Sequence, residues 1–116
     1  MGGLILDINF KKIDDKLITQ ITGELDHHSA EEVRSKIDDR LSRDNINKLI
    51  MDFSGVTFMD SSGIGVVIGR FKKLSYEDGV VCLINVNENI KRVFELSGMF
   101  KIINIFNTLE EALENI

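Results

Sequence analysis

The segment Asp60-Ser61-Ser62-Gly63 sets an acid, two hydroxyls and a glycine directly before a stretch with helical apolar spacing. A helix N-terminus presents unpaired backbone N–H groups and a partial positive charge, so a serine there can cap the helix or hold a negative group such as phosphate. Spacing alone leaves both readings open. Arg70, Lys72 and Lys73 stand at the far end of the same helix, where they complement its negative pole. Glycines at 63, 65 and 69 cost about 1 kcal/mol each in helix propensity. They imply that the helix lies close to a sheet or leaves room for a partner.

A second polar cluster, Asp26-His27-His28-Ser29, offers acid–base groups. Adjacent histidines rarely face one way, and a single cysteine far off at Cys82 completes no zinc set, so a polar loop leading to a Ser29 cap is the simpler reading. A Ser61–His–Asp26 triad is geometrically conceivable, yet no residues identify an oxyanion hole. Asp52, at the end of an apolar run, could be the acceptor of an aspartyl-phosphate receiver domain. That reading needs an acidic pair after the first strand, and Lys11-Lys12 stand there. No G-x-x-x-x-G-K-[ST] occurs, Gly63-x-Gly65 is followed by Gly69 one residue too late for a dinucleotide fingerprint, and no G-x-S-x-G elbow surrounds either serine. A stand-alone anion- or nucleotide-binding module is a further alternative.

The elements that must position these residues are legible from periodicity. Leu4 to Phe10 and Leu17 to Thr22 predict strands joined through Asp14-Asp15. Ser29-Ala30-Glu31-Glu32 has the form of a capping box before a helix with Ala30, Val33, Ile37 and Leu41 inward, ending near Arg43. Lys48 to Phe53 predicts a short strand, followed by a polar elbow and a helix beginning near Gly63 whose inward face is Ile64, Val67, Ile68, Phe71 and Leu74. Val80 to Ile84 is apolar on both faces and predicts a central strand around a buried, inert Cys82. Asn87 caps a helix carrying Ile90, Val93 and Phe94, stopped by Gly98. Ile102 to Phe106 is a last strand, and Thr108 opens a closing helix with Leu109, Ala112 and Leu113 inward.

The resulting order, β-β-α-β-α-β-α-β-α, predicts an α/β fold with helices packed on a mixed β-sheet whose later strands run parallel. Right-handed crossovers bring the carboxyl ends of parallel strands to one edge. The loops Gly23 to His28, Ser54 to Asp60 and Asn85 to Glu88 should therefore meet there.

Composition narrows the class of function. The 116 residues, 43% of them hydrophobic, suffice for one cored domain spanning 1–116. Fourteen Lys plus Arg against nineteen Asp plus Glu leave a net charge of −5, which argues against non-specific binding to nucleic acid or anionic membrane. The uncharged runs Ser61 to Gly69 and Gly79 to Asn87 are too short to span a bilayer, and Met1 to Leu6 carries neither a secretory nor a myristoylation signal. A cytoplasmic protein is expected.

Three segments, Glu24 to Ala30, Val56 to Val66 and Leu96 to Ile103, resemble the bacterial anti-sigma-factor antagonists built on the STAS domain, closest to the sporulation members that act on the anti-sigma-F factor. The resemblance runs in order along essentially the whole chain. It implies a STAS-like fold, no cofactor and no catalytic residue. It further implies that Ser61 is phosphorylated by the anti-sigma factor, itself a serine kinase, and that a serine phosphatase removes the phosphate. Only the unphosphorylated form would bind the anti-sigma factor and release the sigma factor. The expected partner surface comprises Asp26, Ser54, Met59, Asp60, Ser61, Ser62 and Gly63, flanked by exposed residues of the helix that follows.

Overall fold

The computed structural model describes residues 7–116. Strand β1 (Asp7–Ile13) and strand β2 (Lys16–Leu25) form an antiparallel hairpin across Asp14-Asp15, with Asp14 at φ 54°. Leu4 to Leu6 of the expected first strand lie outside the described residues. Helix α1 (Ala30–Arg43), strand β3 (Lys48–Met59), helix α2 (Ser61–Ser75), strand β4 (Val80–Ile84), helix α3 (Glu88–Ser97), a 3₁₀ turn (Met99–Lys101), strand β5 (Asn104–Phe106) and helix α4 (Leu109–Asn115) follow. The sheet order is β1-β2-β3-β4-β5, with β2 to β5 parallel. The expected α/β architecture and element order are therefore present. The last strand is shorter than expected, because Met99 to Lys101 wind into the 3₁₀ turn and delay pairing until Asn104.

Two apolar layers hold the sheet. Alternation along the strands sends Leu17, Ile21, Leu49, Met51, Phe53 and Leu83 toward α1, α2 and α3, where they meet Val33, Ile37, Val67, Leu74, Ile90 and Phe94. Ile18, Ile50, Cys82 and Ile84 point to the opposite face and are covered by Ala112 of α4. Three of the expected caps are in place. Asn87 Oδ1 accepts from Ile90 N–H, Thr108 Oγ1 accepts from Glu111 N–H, and Gly98 ends α3 at φ 79°.

The largest departure from expectation lies in β3. It does not stop at Phe53 before a polar elbow but runs to Met59, and β2 extends with it to Leu25. Beyond Asp52, where pairing with β4 ends, β3 stays hydrogen-bonded to β2 through Thr22↔Gly55, Gly23↔Val56, Glu24↔Phe58 and Leu25↔Met59. Register shifts on either side of Gly23, which sits at φ 115°, bend the ribbon. Ser54-Gly55 carries the local signature of a turn, but strand pairing overrides it.

Helix α2 is also rotated from its expected face. Gly63, Val66, Val67, Arg70 and Leu74 are buried, while Ile64, Ile68 and Phe71 pack at the margin of the core. Arg70 does not serve the helix pole. Its Nε lies 2.9 Å from Asp38 Oδ1 of α1, and Lys73 and Arg34 approach the same carboxylate. Burial holds the Arg70 proton affinity below the ordinary arginine range, and Asp38 works against that shift.

Cys82 is fully buried and desolvation pushes its thiol up to about 12. In the native chain at pH 8 it should react with an aromatic disulfide reagent at least roughly 10³-fold more slowly than in denaturant, because access requires global opening. Absorbance of the released thiolate measures both rates.

Candidate functional site

Asp60 ends the extended ribbon in a β conformation and starts α2. Its Oδ1 accepts from Ser62 N–H at 2.8 Å and from Gly63 N–H at 3.3 Å. The cap is therefore the Asp60 carboxylate, and neither serine hydroxyl takes that role. The other oxygen, Oδ2, accepts from the backbone N–H of His27 at 3.2 Å, so one side chain ties α2 to the β2–α1 loop across 33 residues of sequence.

That loop is itself locked by a reciprocal pair. Asp26 N–H donates to Ser29 Oγ at 3.1 Å, and Ser29 N–H donates to Asp26 Oδ1 at 3.2 Å. His28 N–H also donates to that Oδ1 at 2.9 Å. The expected Ser29–Glu32 capping box is thus displaced: Ser29 makes no side-chain cap bond to α1, and the box closes three residues earlier between Asp26 and Ser29. Burial works to raise the Asp26 proton affinity, but the His28 and Ser29 N–H groups and the His28 ring outweigh it and hold the carboxyl below its usual range.

The close approach of α2 to the ribbon depends on Gly63. A Cβ there would lie 2.3 Å from Met59 Cγ and 2.7 Å from Leu25 O, so any side chain would push the helix off its seat. Gly65 and Gly69 differ, since a Cβ on either meets nothing within 4 Å. They leave the outer side of α2 open rather than serving close packing.

Of the expected surface, the structure brings together Asp26, Asp60, Ser61, Ser62 and Gly63, but Asp26 and Gly63 are buried and so do not lie on the surface as expected. Ser61 is exposed at the first position of α2, and its hydroxyl has no hydrogen bond to either imidazole, so no triad is assembled. Met59 is buried beneath Gly63 and supports the surface from below. Ser54 is not part of the cluster. It is exposed on β3, its N–H donating to Asp52 Oδ1, five strand residues or roughly 16 Å from Met59. Asp52 lies within β3 and accepts from Asn85 Nδ2, while Asn87 Nδ2 donates to Val56 O, so the third loop docks along the ribbon rather than at its tip. Phe58, half exposed beside the site, was not singled out by sequence reasoning; its signal was the outward position it takes only if β3 continues past Phe53.

The STAS-domain sequence profile matches residues 7–112. The chain is 36% identical over 97 residues to the anti-sigma F factor antagonist of Paenibacillus polymyxa, covering 84% of this chain and 83% of that one. This chain belongs to the STAS-domain family of anti-sigma factor antagonists. The antagonist of the same name from Lysinibacillus sphaericus is 35% identical over 73% of each chain. Among solved structures, the anti-sigma factor antagonist SpoIIAA in its unphosphorylated form superposes with a TM-score of 0.81 at 31% identity, over 93% of this STAS domain and 94% of that chain. Its phosphorylated form superposes at 0.73 with the same identity, over 93% and 97%.

Replacing Asp60 by Ala removes the α2 cap and the bond to His27, and should cost about 2 kcal/mol, whereas Ser62→Ala should stay within about 0.5 kcal/mol. Urea unfolding of both variants checks the ratio. Asp26→Ala should also destabilise the STAS domain at pH 7. Because the folded Asp26 value is lowered, its contribution is present above the ordinary carboxyl range and is lost as pH falls below that range. The gap between variant and parent in urea midpoints should narrow over that fall in pH.

Proposed function

We propose that this STAS domain is a cytoplasmic, non-enzymatic anti-sigma factor antagonist switched by phosphorylation of Ser61. In its unmodified form it binds an anti-sigma factor that is also a serine kinase, and the sigma factor is released. Transfer of phosphate to Ser61 ends that binding, and a serine phosphatase restores it. The observation that carries this reading is the position of Ser61: exposed, its hydroxyl unbonded, at the first turn of a helix that its neighbour Asp60 already caps. The hydroxyl is free for transfer, and modifying it breaks no bond that holds the fold. The names of the relatives and the likeness to both forms of SpoIIAA support the same reading.

Binding would be switched by charge. Phosphate adds about −1.5 to −2 units beside Asp60 and Asp26, and a partner complementary to the unmodified surface must then desolvate that charge. The contact surface comprises Ser61, Ser62 and Asp60, extended by Phe58 and by the open side of α2 at Gly65 and Gly69, while the buried Asp26 holds the neighbouring loop in place. Met59 and Gly63 act from beneath. Ser54, expected as a contact from its type alone, would touch only a partner that reaches down the ribbon.

Ser61→Ala should retain the anti-sigma factor in co-purification and accept no phosphate. Ser61→Asp and the phosphorylated chain should bind at least 10-fold more weakly, measured by titration calorimetry, with peptide mass mapping locating the phosphate. Phosphate on Ser62, or equal affinity of the two forms, would sink the proposal. Thermal melts should show the phosphorylated STAS domain folded, since the modified atom carries no structural bond.

A further inference from the structure

The two imidazoles beside Ser61 have no role in the switch as described. His27 and His28 stack with ring centroids 3.9 Å apart, and their side chains are 68% and 58% exposed. Each ring faces a carboxylate: His27 Nδ1 lies 3.7 Å from Asp60 Oδ2, and His28 Nδ1 lies 3.7 Å from Asp26 Oδ2. The His27 backbone is pinned to that same Asp60 oxygen, which places the residue at the start of α2.

A phosphate on Ser61 would ordinarily be satisfied by the free N–H groups of the helix N-terminus. Here two of them, on Ser62 and Gly63, already donate to Asp60 Oδ1. The capping carboxylate occupies the cradle and adds its own negative charge next to the incoming one. A phosphate at this position is therefore better matched by a cation from outside the helix. The strong cations of α1 and α2 that form ion pairs are directed elsewhere: Arg34, Arg70 and Lys73 converge on Asp38, and Lys36, Arg40 and Arg43 pair within or just beyond α1. The groups that contact Asp60 and Asp26 and can become positive are the two imidazoles, and His27 is the one on Asp60.

We propose that His27 is the positioning residue for phosphorylated Ser61, its imidazolium shared between the Asp60 carboxylate and the phosphate. This rests on reading Ser61 as the modified residue. The groups that face His27 are Asp60 and the positive pole of α2 from the β3–α2 junction, and Asp26 and the stacked His28 from its own loop. Phosphorylation would then draw His27 toward the new charge and be felt on the loop that carries Asp26, which borders the proposed contact surface.

The coupling is reciprocal, so the phosphate reports it. In the full chain with phosphoserine installed at position 61 by genetic encoding, the second ionisation of the phosphate can be followed by ³¹P NMR against pH at low salt. Its midpoint should lie lower in the parent than in His27→Gln by about 0.5 pH unit, the size expected for an exposed, partly screened charge pair. His28→Gln should move it less. Coincident midpoints for the parent and His27→Gln overturn the proposal, as does a larger displacement in His28→Gln. Both side chains are exposed, so both variants should fold, and amide dispersion in the same samples verifies it. Because no kinase is used, failure here leaves the Ser61 switch standing. A Ser61 that no anti-sigma factor phosphorylates would remove the switch and leave the phosphate–imidazole contact measurable.

Discussion

Asp60 spends its two carboxylate oxygens on two different elements, and the geometry of the functional edge follows from that division. One oxygen starts α2 by taking the N–H groups of Ser62 and Gly63; the other holds the His27 backbone, and with it the loop that carries Asp26. A serine or threonine in the same place has a single oxygen and could cap the helix without holding the loop. The acid also sets the electrostatics of the surface, since any anion arriving at Ser61 arrives beside a charge that cannot turn away without uncapping α2.

The ribbon made by the outer halves of β2 and β3 is the second constraint. Because β4 stops pairing at Asp52, the segment from Phe53 to Met59 has β2 as its strand partner among the described residues. It carries the start of α2 beyond the body of the sheet, with Val56 and Met59 turned into the core and Phe58 turned out. Gly63 then lets α2 settle directly on Met59 and Leu25. Ser61 is thus flanked on both sides by hydrogen-bonded backbone.

Behind this edge, α1 and α2 are held together by apolar packing and by the Asp38 cluster. Arg70 lies on the buried face of α2, so its charge must be matched, and Asp38 supplies the match with Arg34 and Lys73 drawn in around it. A buried ion pair of this kind is weak evidence for added stability, but a misplaced α2 would strand the guanidinium. The cluster therefore resists rotation of the helix whose first residue is Ser61.

Element order, the parallel run of β2 to β5, the inward faces of α1, α3 and α4, and the caps at Asn87, Thr108 and Gly98 were determined by the sequence alone, because each rests on periodicity or on bonds within a few residues. The Asp60-Ser61-Ser62-Gly63 segment was legible as a helix start for the same reason, and the family resemblance singled out Ser61. Only tertiary structure decided which side chain caps α2, since Asp and Ser are equivalent candidates until the backbone at residue 60 is extended and the helix begins at 61. It alone turned Ser54-Gly55 from a turn into a strand, since pairing with β2 outweighs local propensity. It likewise placed Arg70 inside, buried Met59, separated Ser54 from the cluster and exposed Phe58. Each of these depends on a neighbour tens of residues away, and such a neighbour leaves no mark in local spacing.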